Sequence, residues 1–159
     1  MRKRATAIVI KNGNTLLVRE RGKNEYSLPG GGISRSKDFL PSEDYCEECH
    51  DLVRMYGMPD VCLKHQHSKG RSSSMLAAIR ELKEETRLHA DWASFLFHHN
   101  THSHRHSVYI IKLFSGQVHV DGKGIDKFIW WDGHSPLNIS RSTSDILRRF
   151  ARKDIHAIK

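Results

Sequence analysis

The segment from Ser73 to Thr86 constrains the chain most. Its apolar residues Met75, Leu76, Ile79 and Leu82 recur at helical spacing, with Glu81, Glu84 and Glu85 falling among them. At about 100° per residue, the three glutamates share one face roughly 100° wide, and the apolar residues take the far side. Such a helix has to bury one face, so the rest of the chain must offer an apolar partner. Ser72, Ser73 and Ser74 are all suitable N-caps. Ala77 and Ala78 flank the acidic face and are expected to leave room above it. Like charges at i,i+4 cost a few tenths of a kcal/mol each, roughly, and a cation would offset that cost. Hard carboxylate oxygens suit Mg²⁺ or Mn²⁺. Taken alone, the same pattern also describes a solvated acidic face.

The partner is a set of strands. Ala5 to Ile10 reads as a buried strand, Asn12-Gly13-Asn14 as a hairpin turn and Thr15 to Arg19 as the return strand. Tyr26 to Leu28 is a short extended piece ending at Pro29. Gly30-Gly31-Gly32 then gives a backbone that bends sharply and approaches a ligand closely. Trp92 to His98 and Ser107 to Phe114 read as strands joined by a histidine-rich turn, Phe128 to Trp131 as another strand, and Ser144 to Arg152 as a closing amphipathic helix. Strands and helices mix without regular βαβ alternation. That order predicts an α+β fold, a mixed sheet between helices, forming one domain over residues 1–159. Periodicity is lost from Ser34 to about Ser72, which reads as an insertion of about 40 residues.

The glycines and the glutamates together resemble a known motif. Leu28-Pro29-Gly30-Gly31-Gly32 precedes the helix, and Arg80-Glu81-Leu82-Lys83-Glu84-Glu85-Thr86 ends it. This pair resembles the box of the Nudix (MutT-like) hydrolases. The entry strand running into Leu16-Leu17-Val18-Arg19-Glu20-Arg21 is similar to that family too. The resemblance covers most of the chain outside 34–72. It implies a mixed sheet sandwiched between helices, and metal-dependent hydrolysis of a phosphate–phosphate bond in a nucleoside diphosphate-linked or related substrate. It implies Glu84 and Glu85 as Mg²⁺ or Mn²⁺ ligands, and Glu81 as a third ligand or the base that activates water. Arg80 is implied to hold the glutamates by charge-assisted hydrogen bonds. Gly30, Gly31 and Gly32 are implied to position the helix and approach the phosphates. Arg19 and Arg21, with Lys23, stand where a phosphate or ribose would be read. Three positions depart from the box. Ser72 stands where an earlier glutamate is expected and Arg87 where a glycine is expected, and of the downstream acids Asp121 and Asp126 neither aligns clearly. A Nudix-like protein that binds its ligand but cuts poorly is the second reading.

Net charge decides part of what the chain meets. At +8 with its 12 histidines neutral, the surface draws anions. An anionic phosphorylated small molecule fits, and nucleic acid is the lesser alternative. No apolar run reaches the roughly 18–20 residues that span a bilayer, and the apolar stretch after Met1-Arg2-Lys3-Arg4 is too short for a signal sequence. A cytoplasmic protein is expected. Cys46-x2-Cys49-x12-Cys62-x2-His65 has the spacing of a structural Cys₃His zinc site, with His67 or His50 able to replace His65. Three reduced thiols in a loop is the plain alternative. A zinc-stapled nucleic-acid-binding module, using Lys64, Lys69 and Arg71, is a third reading of function. His102, His104 and His106 alternate and would share a strand face, fit for a metal or, with Arg105, a phosphate. A solvated hairpin tip is the alternative. Of Trp130 and Trp131, one is expected in the core and the other is free to stack on a base.

Overall fold

Asn12 (φ 52°) and Gly13 (φ 80°) turn the chain tightly between strands β1 (Arg2–Lys11) and β2 (Asn14–Glu20). Two successive left-handed residues match the twist of a hairpin, which is what an Asn-Gly pair supplies. The computed structural model describes residues 1–34, 61–62, 67–68 and 73–158. Short strands β3 (Tyr26–Ser27), β4 (Gly30–Gly32), β5 (Val61–Cys62) and β6 (His67–Ser68) follow. Helix α1 (Ser73–Thr86) comes next. Strands β7 (His89–Asn100), β8 (His104–Ser115) and β9 (Ile125–Trp131) precede helix α2 (Arg141–Ile158).

β1 is the hinge of the sheet. It runs parallel to β8 and antiparallel to the glycine strand β4. β8 pairs with β7, which carries β5 and β6 outward, while β2 carries β3 and β9. Both faces of β1 are covered. Ala5, Ala7 and Val9 pack with Met75, Ile79 and Leu82 of α1. Ile8 packs with Leu17, Val108 and Ile146 of α2. A strand buried on both sides needs a continuous apolar run, which Ala5 to Val9 largely provides. The expected mixed sheet between helices is the fold observed. Among the described residues no helix is long and apolar enough to cross a membrane.

Three expectations change. β7 and β8 are longer than their apolar runs, so His99, His104 and His106 sit in the ladder and only residues 101–103 turn. Cross-strand pairing of His99 with His106, and of Arg2 with His104, supplies backbone bonds that side-chain polarity does not reveal. Helix α2 starts at Arg141 rather than Ser144, because Ser140 caps it by accepting the Thr143 N–H at 3.3 Å. Part of the 34–72 stretch belongs to the sheet edge, since Val61 pairs with Ala93. Cys62 stands opposite His67 in that edge hairpin. Cys46, Cys49, His65 and Ser72 lie outside the described residues.

Helix α1 ends as its sequence predicts, at Thr86, whose hydroxyl donates to Leu82 O at 2.6 Å. The next residue, Arg87, takes φ 70° and gives its N–H to Lys83 O at 2.9 Å. This is a left-handed helix cap made by a residue with a Cβ, a conformation that costs roughly 1–2 kcal/mol. The Arg87 side chain is exposed, so little contact is lost on removing it. Arg87→Gly relieves the strain but adds unfolded-chain entropy of roughly 0.5–1 kcal/mol. The net gain is about 0.5–1 kcal/mol, a rise of roughly 2–4 °C in melting midpoint for a domain this size. A midpoint that falls would show that the strain is absent.

Candidate active site

The pairing of β4 with β1 brings the glycines against the acidic face of α1. A Cβ on Gly31 would come within 2.5 Å of Glu81 Oε1 and 2.8 Å of its Oε2. A Cβ on Gly30 would meet Thr6 Cα at 3.0 Å and the Ala5 carbonyl oxygen closer still. Only glycine lets the strand lie directly on the glutamates. The Gly30 N–H donates to Glu85 Oε1 at 3.0 Å. Arg80 Nη1 donates to Glu81 Oε1 at 3.0 Å and Glu84 Oε2 at 3.3 Å, and its Nη2 donates to Gly32 O at 3.1 Å. Arg80 thus bonds two glutamates and the glycine strand, the charge-assisted hydrogen bonds expected of it.

Ala77 and Ala78 are fully buried in the core cluster that holds Ala5 and Ala7 of β1, so they are no open clearance beside the acids, contrary to expectation. Burial then acts on the carboxylates. It pushes the Glu85 carboxyl up to about 8, against the Gly30 N–H and the Arg4 charge, with Glu81 and Glu20 adding to the rise. Glu81 is also raised by burial, against its bonds to Arg80. Glu84 is the exposed member, its side chain 51% accessible. Among the described residues, no three histidine, cysteine or acidic side chains stand close enough to hold an ion as placed. Each observed hydrogen bond uses one of a carboxylate's two oxygens.

The opposite face of β1 carries Arg4 and Thr6, and sequence reasoning missed both. The residues 2–4 read as a basic run, whereas the alternation Arg4, Thr6, Ile8 was the available signal of a shared face. These side chains open onto a cavity of about 590 Å³. Its walls come from the β7–β8 hairpin, the chain around Ser27 and Leu28, and the first turn of α2. The Leu28 N–H donates to Thr143 Oγ1 at 3.0 Å, which fixes that helix end beside the glycine strand. Arg4 Nη2 reaches Gly30 O at 3.4 Å. Arg4 therefore borders both the cavity and the carboxylates.

The other expected residues fall as follows. Arg19 is engaged with Asp126, at 3.4 Å from Nε and 3.5 Å from Nη2, and lies over Tyr26. Asp126, on the neighbouring strand β9, is its ion-pair partner. Arg21 is exposed, and Asp121 accepts the Lys123 N–H in a turn at 2.9 Å. His102, His104 and His106 all line the cavity. The His106 ring lies 6.1 Å from His104 and 6.2 Å from His99, and its Nδ1 meets Thr6 Oγ1 at 3.3 Å. Trp130 packs on the α1-side core and Trp131 on the α2-side core. Both are half-buried, and neither lines the cavity.

Solved structures share this architecture. One is a nudix hydrolase family member from Chromobacterium violaceum, at TM-score 0.62 and 25% identity, covering 96% of this chain and 77% of that one. A MutT NUDIX hydrolase from Burkholderia pseudomallei aligns at TM-score 0.59 and 18% identity, covering 92% and 95%. An ADP-ribose pyrophosphatase from Streptococcus suis aligns at TM-score 0.51 and 12% identity, covering 89% and 81%. The sequence itself matches no family profile and no curated protein. The chain has a Nudix-like fold, with its glycine strand and glutamate helix in contact.

Proposed function

We propose that this protein is a pyrophosphohydrolase that cleaves a phosphate–phosphate bond, with Glu81, Glu84 and Glu85 as its acidic centre. The observation that carries this reading is the seating of the glycine strand on the glutamates, Gly30 on Glu85 and Gly31 on Glu81. Glutamates merely forming a solvated face would not be held at raised pKa against a backbone that admits no side chain. The donor set fits a hard divalent cation, Mg²⁺ or Mn²⁺, because three carboxylates crowd one helix face and Arg80 engages only one oxygen each of Glu81 and Glu84. Such a cation supplies electrostatic stabilisation of charge on the phosphoryl oxygens. Arg80 orients Glu81 and Glu84. Either Glu81 or Glu85 is suited to take a proton from water, since burial has raised both. The nudix neighbours support this chemistry, and the substrate is phosphorylated and anionic, as the basic chain favours. The test is phosphate release from a panel of nucleoside triphosphates, dinucleoside polyphosphates, nucleotide sugars and inositol pyrophosphates, with and without Mg²⁺ or Mn²⁺. Silence across the panel, with binding retained, favours the second reading, a ligand-binding protein that cuts poorly. The departures at Ser72 and Arg87 from the resembled box are behind that second reading.

Residues 34–72 are proposed as an insertion within the single domain, stapled by zinc on Cys46, Cys49, Cys62 and His65 or His67. The spacing of the cysteines and the opposition of Cys62 to His67 support this. Protein purified without chelator is expected to carry about one zinc per chain by elemental analysis. Metal-free protein with three titratable thiols would reject the staple.

A further inference from the structure

Four histidines crowd one end of the sheet, and the acidic centre uses none of them. His99 on β7, His104 and His106 on β8, and His102 in the turn between all line the cavity beside Arg4. The strand register gathers the first three. His99 stands directly opposite His106 in the antiparallel β7–β8 ladder, and His104 lies two residues before His106. A cross-strand pair and an i,i+2 pair share one face of a sheet, so these three side chains leave the same surface. His98 is on the other face of β7, where its Nδ1 meets Ser107 Oγ at 3.1 Å. The His106 ring centre lies 6.2 Å from that of His99 and 6.1 Å from that of His104. With metal–nitrogen bonds of about 2 Å, two imidazoles on one tetrahedral ion hold their ring centres roughly 5 Å apart. As placed, the three rings do not converge on one point. Each pair stands only about 1 Å too wide, a gap that side-chain rotation closes.

Hydrogen bonding prepares two of the rings. His106 Nδ1 meets Thr6 Oγ1 at 3.3 Å, and His104 Nδ1 meets Ser103 Oγ at 2.7 Å. When Nδ1 donates its hydrogen to such a hydroxyl, Nε2 keeps its lone pair for an ion, and the ring is held in orientation. His99 differs. Arg149 Nη1 lies 3.3 Å from its Nδ1, so an ion has to take the place of that contact, while Arg149 keeps its bond to His98 O at 2.8 Å. Burial lowers His99 and His106 below the ordinary imidazole range, so both are neutral at pH 7, the form that binds metal. Arg4 opposite His106 and Arg149 beside His99 oppose a cation, and Glu20, Glu25 and Asp145 on the same cavity offset them.

We propose that His99, His104 and His106 form a site for one transition-metal ion of the nickel or zinc class. Imidazole nitrogen suits these borderline ions, whereas the glutamate oxygens suit Mg²⁺ or Mn²⁺. Three protein ligands leave a fourth position open to the cavity. The ion would tie β7 to β8 beside their turn. This site stands independently of the hydrolase reading.

The probe is Ni²⁺, titrated into the tag-free, full-length chain in excess Mg²⁺, with paramagnetic broadening of backbone amide NMR signals as the readout. Excess Mg²⁺ occupies the carboxylates and leaves imidazoles free. Amides of residues 98–100 and 104–107 are expected to broaden first and in a saturable way. His99→Gln and His104→Gln should each weaken Ni²⁺ binding at least about tenfold, the loss of one of three metal–nitrogen bonds. Both residues are half-buried, so these variants decide the matter even if His106→Gln fails to fold. His102 is exposed in the turn, and His102→Gln should leave the affinity unchanged. Broadening confined to the glutamate helix or to the Cys62–His67 hairpin would overturn the site. So would an affinity that ignores both His99→Gln and His104→Gln, or one that falls as far with His102→Gln, the mark of loose binding to any exposed histidine. Turnover enters none of these measurements, so their failure leaves the hydrolase reading as it stands.

Discussion

Glu85→Gln is expected to lower phosphate release at least about 100-fold, some 2.7 kcal/mol of transition-state stabilisation. The fold should stay intact or gain stability. Glutamine keeps an oxygen for the Gly30 N–H, which Glu85 accepts at 3.0 Å, and removes a carboxylate that burial holds at about 8 instead of its ordinary acidic range. A residue that serves the fold would behave in the opposite way, losing stability and activity together. The measurement pairs steady-state turnover with Mg²⁺ against the urea midpoint of the same preparation. Near-native turnover in Glu85→Gln would remove this carboxylate from the reaction.

Acid is expected to unfold this protein partly through one histidine. Burial, with Arg4, His99 and His104 nearby, pushes the His106 imidazole down to about 4. In the unfolded chain it titrates near 6.5. Between those values the unfolded chain holds the extra proton. The neutral ring's contribution is therefore complete above about pH 6.5 and is lost as pH falls toward 4. The shift corresponds to roughly 3 kcal/mol. Glu81 and Glu85, with raised values, work in the opposite direction over their own range. Comparing His106→Gln with the wild type at pH 7.5 and 4.5 isolates the histidine's share. The variant should lose roughly 3 kcal/mol less of its urea stability on acidification. Equal losses would mean that His106 charges as easily folded as unfolded.

Local patterns carried much of the fold, and long-range pairing accounts for what they left out. Helix α1 was legible from Ser73 to Thr86 because its apolar period and its last threonine agree. The hydrogen bonds from Arg80 to the glutamates were legible from its place one residue before Glu81. The clustering of Arg4, Thr6 and the hairpin histidines was not, because it is made by β1 meeting β8, residues far apart in sequence. Polar side chains in a ladder look like a loop when read alone, and so the histidines were read as a turn. Arg19 looked free for a ligand because its partner Asp126 lies on β9. Ala77 and Ala78 looked like a clearance because nothing local shows that they pack in the core with β1. The left-handed Arg87 was visible only as the place where a glycine was expected.

The parallel pairing of β1 with β8, from Arg2 opposite His104 to Val9 opposite Ile111, also sets an order of assembly. β1 precedes β8 in the chain, so its central neighbour is made later. Until β8 arrives, the apolar run from Ala5 to Val9 lacks one edge partner, and the glycine strand that hangs on β1 has no firm platform. Contacts this distant in sequence make refolding slow and leave an exposed strand prone to self-association. A nascent chain stalled just after α1 would already hold Glu81, Glu84 and Glu85, yet could not seat them on Gly30 and Gly31. The platform under the glycine strand is complete only when the second half of the chain has paired with the first.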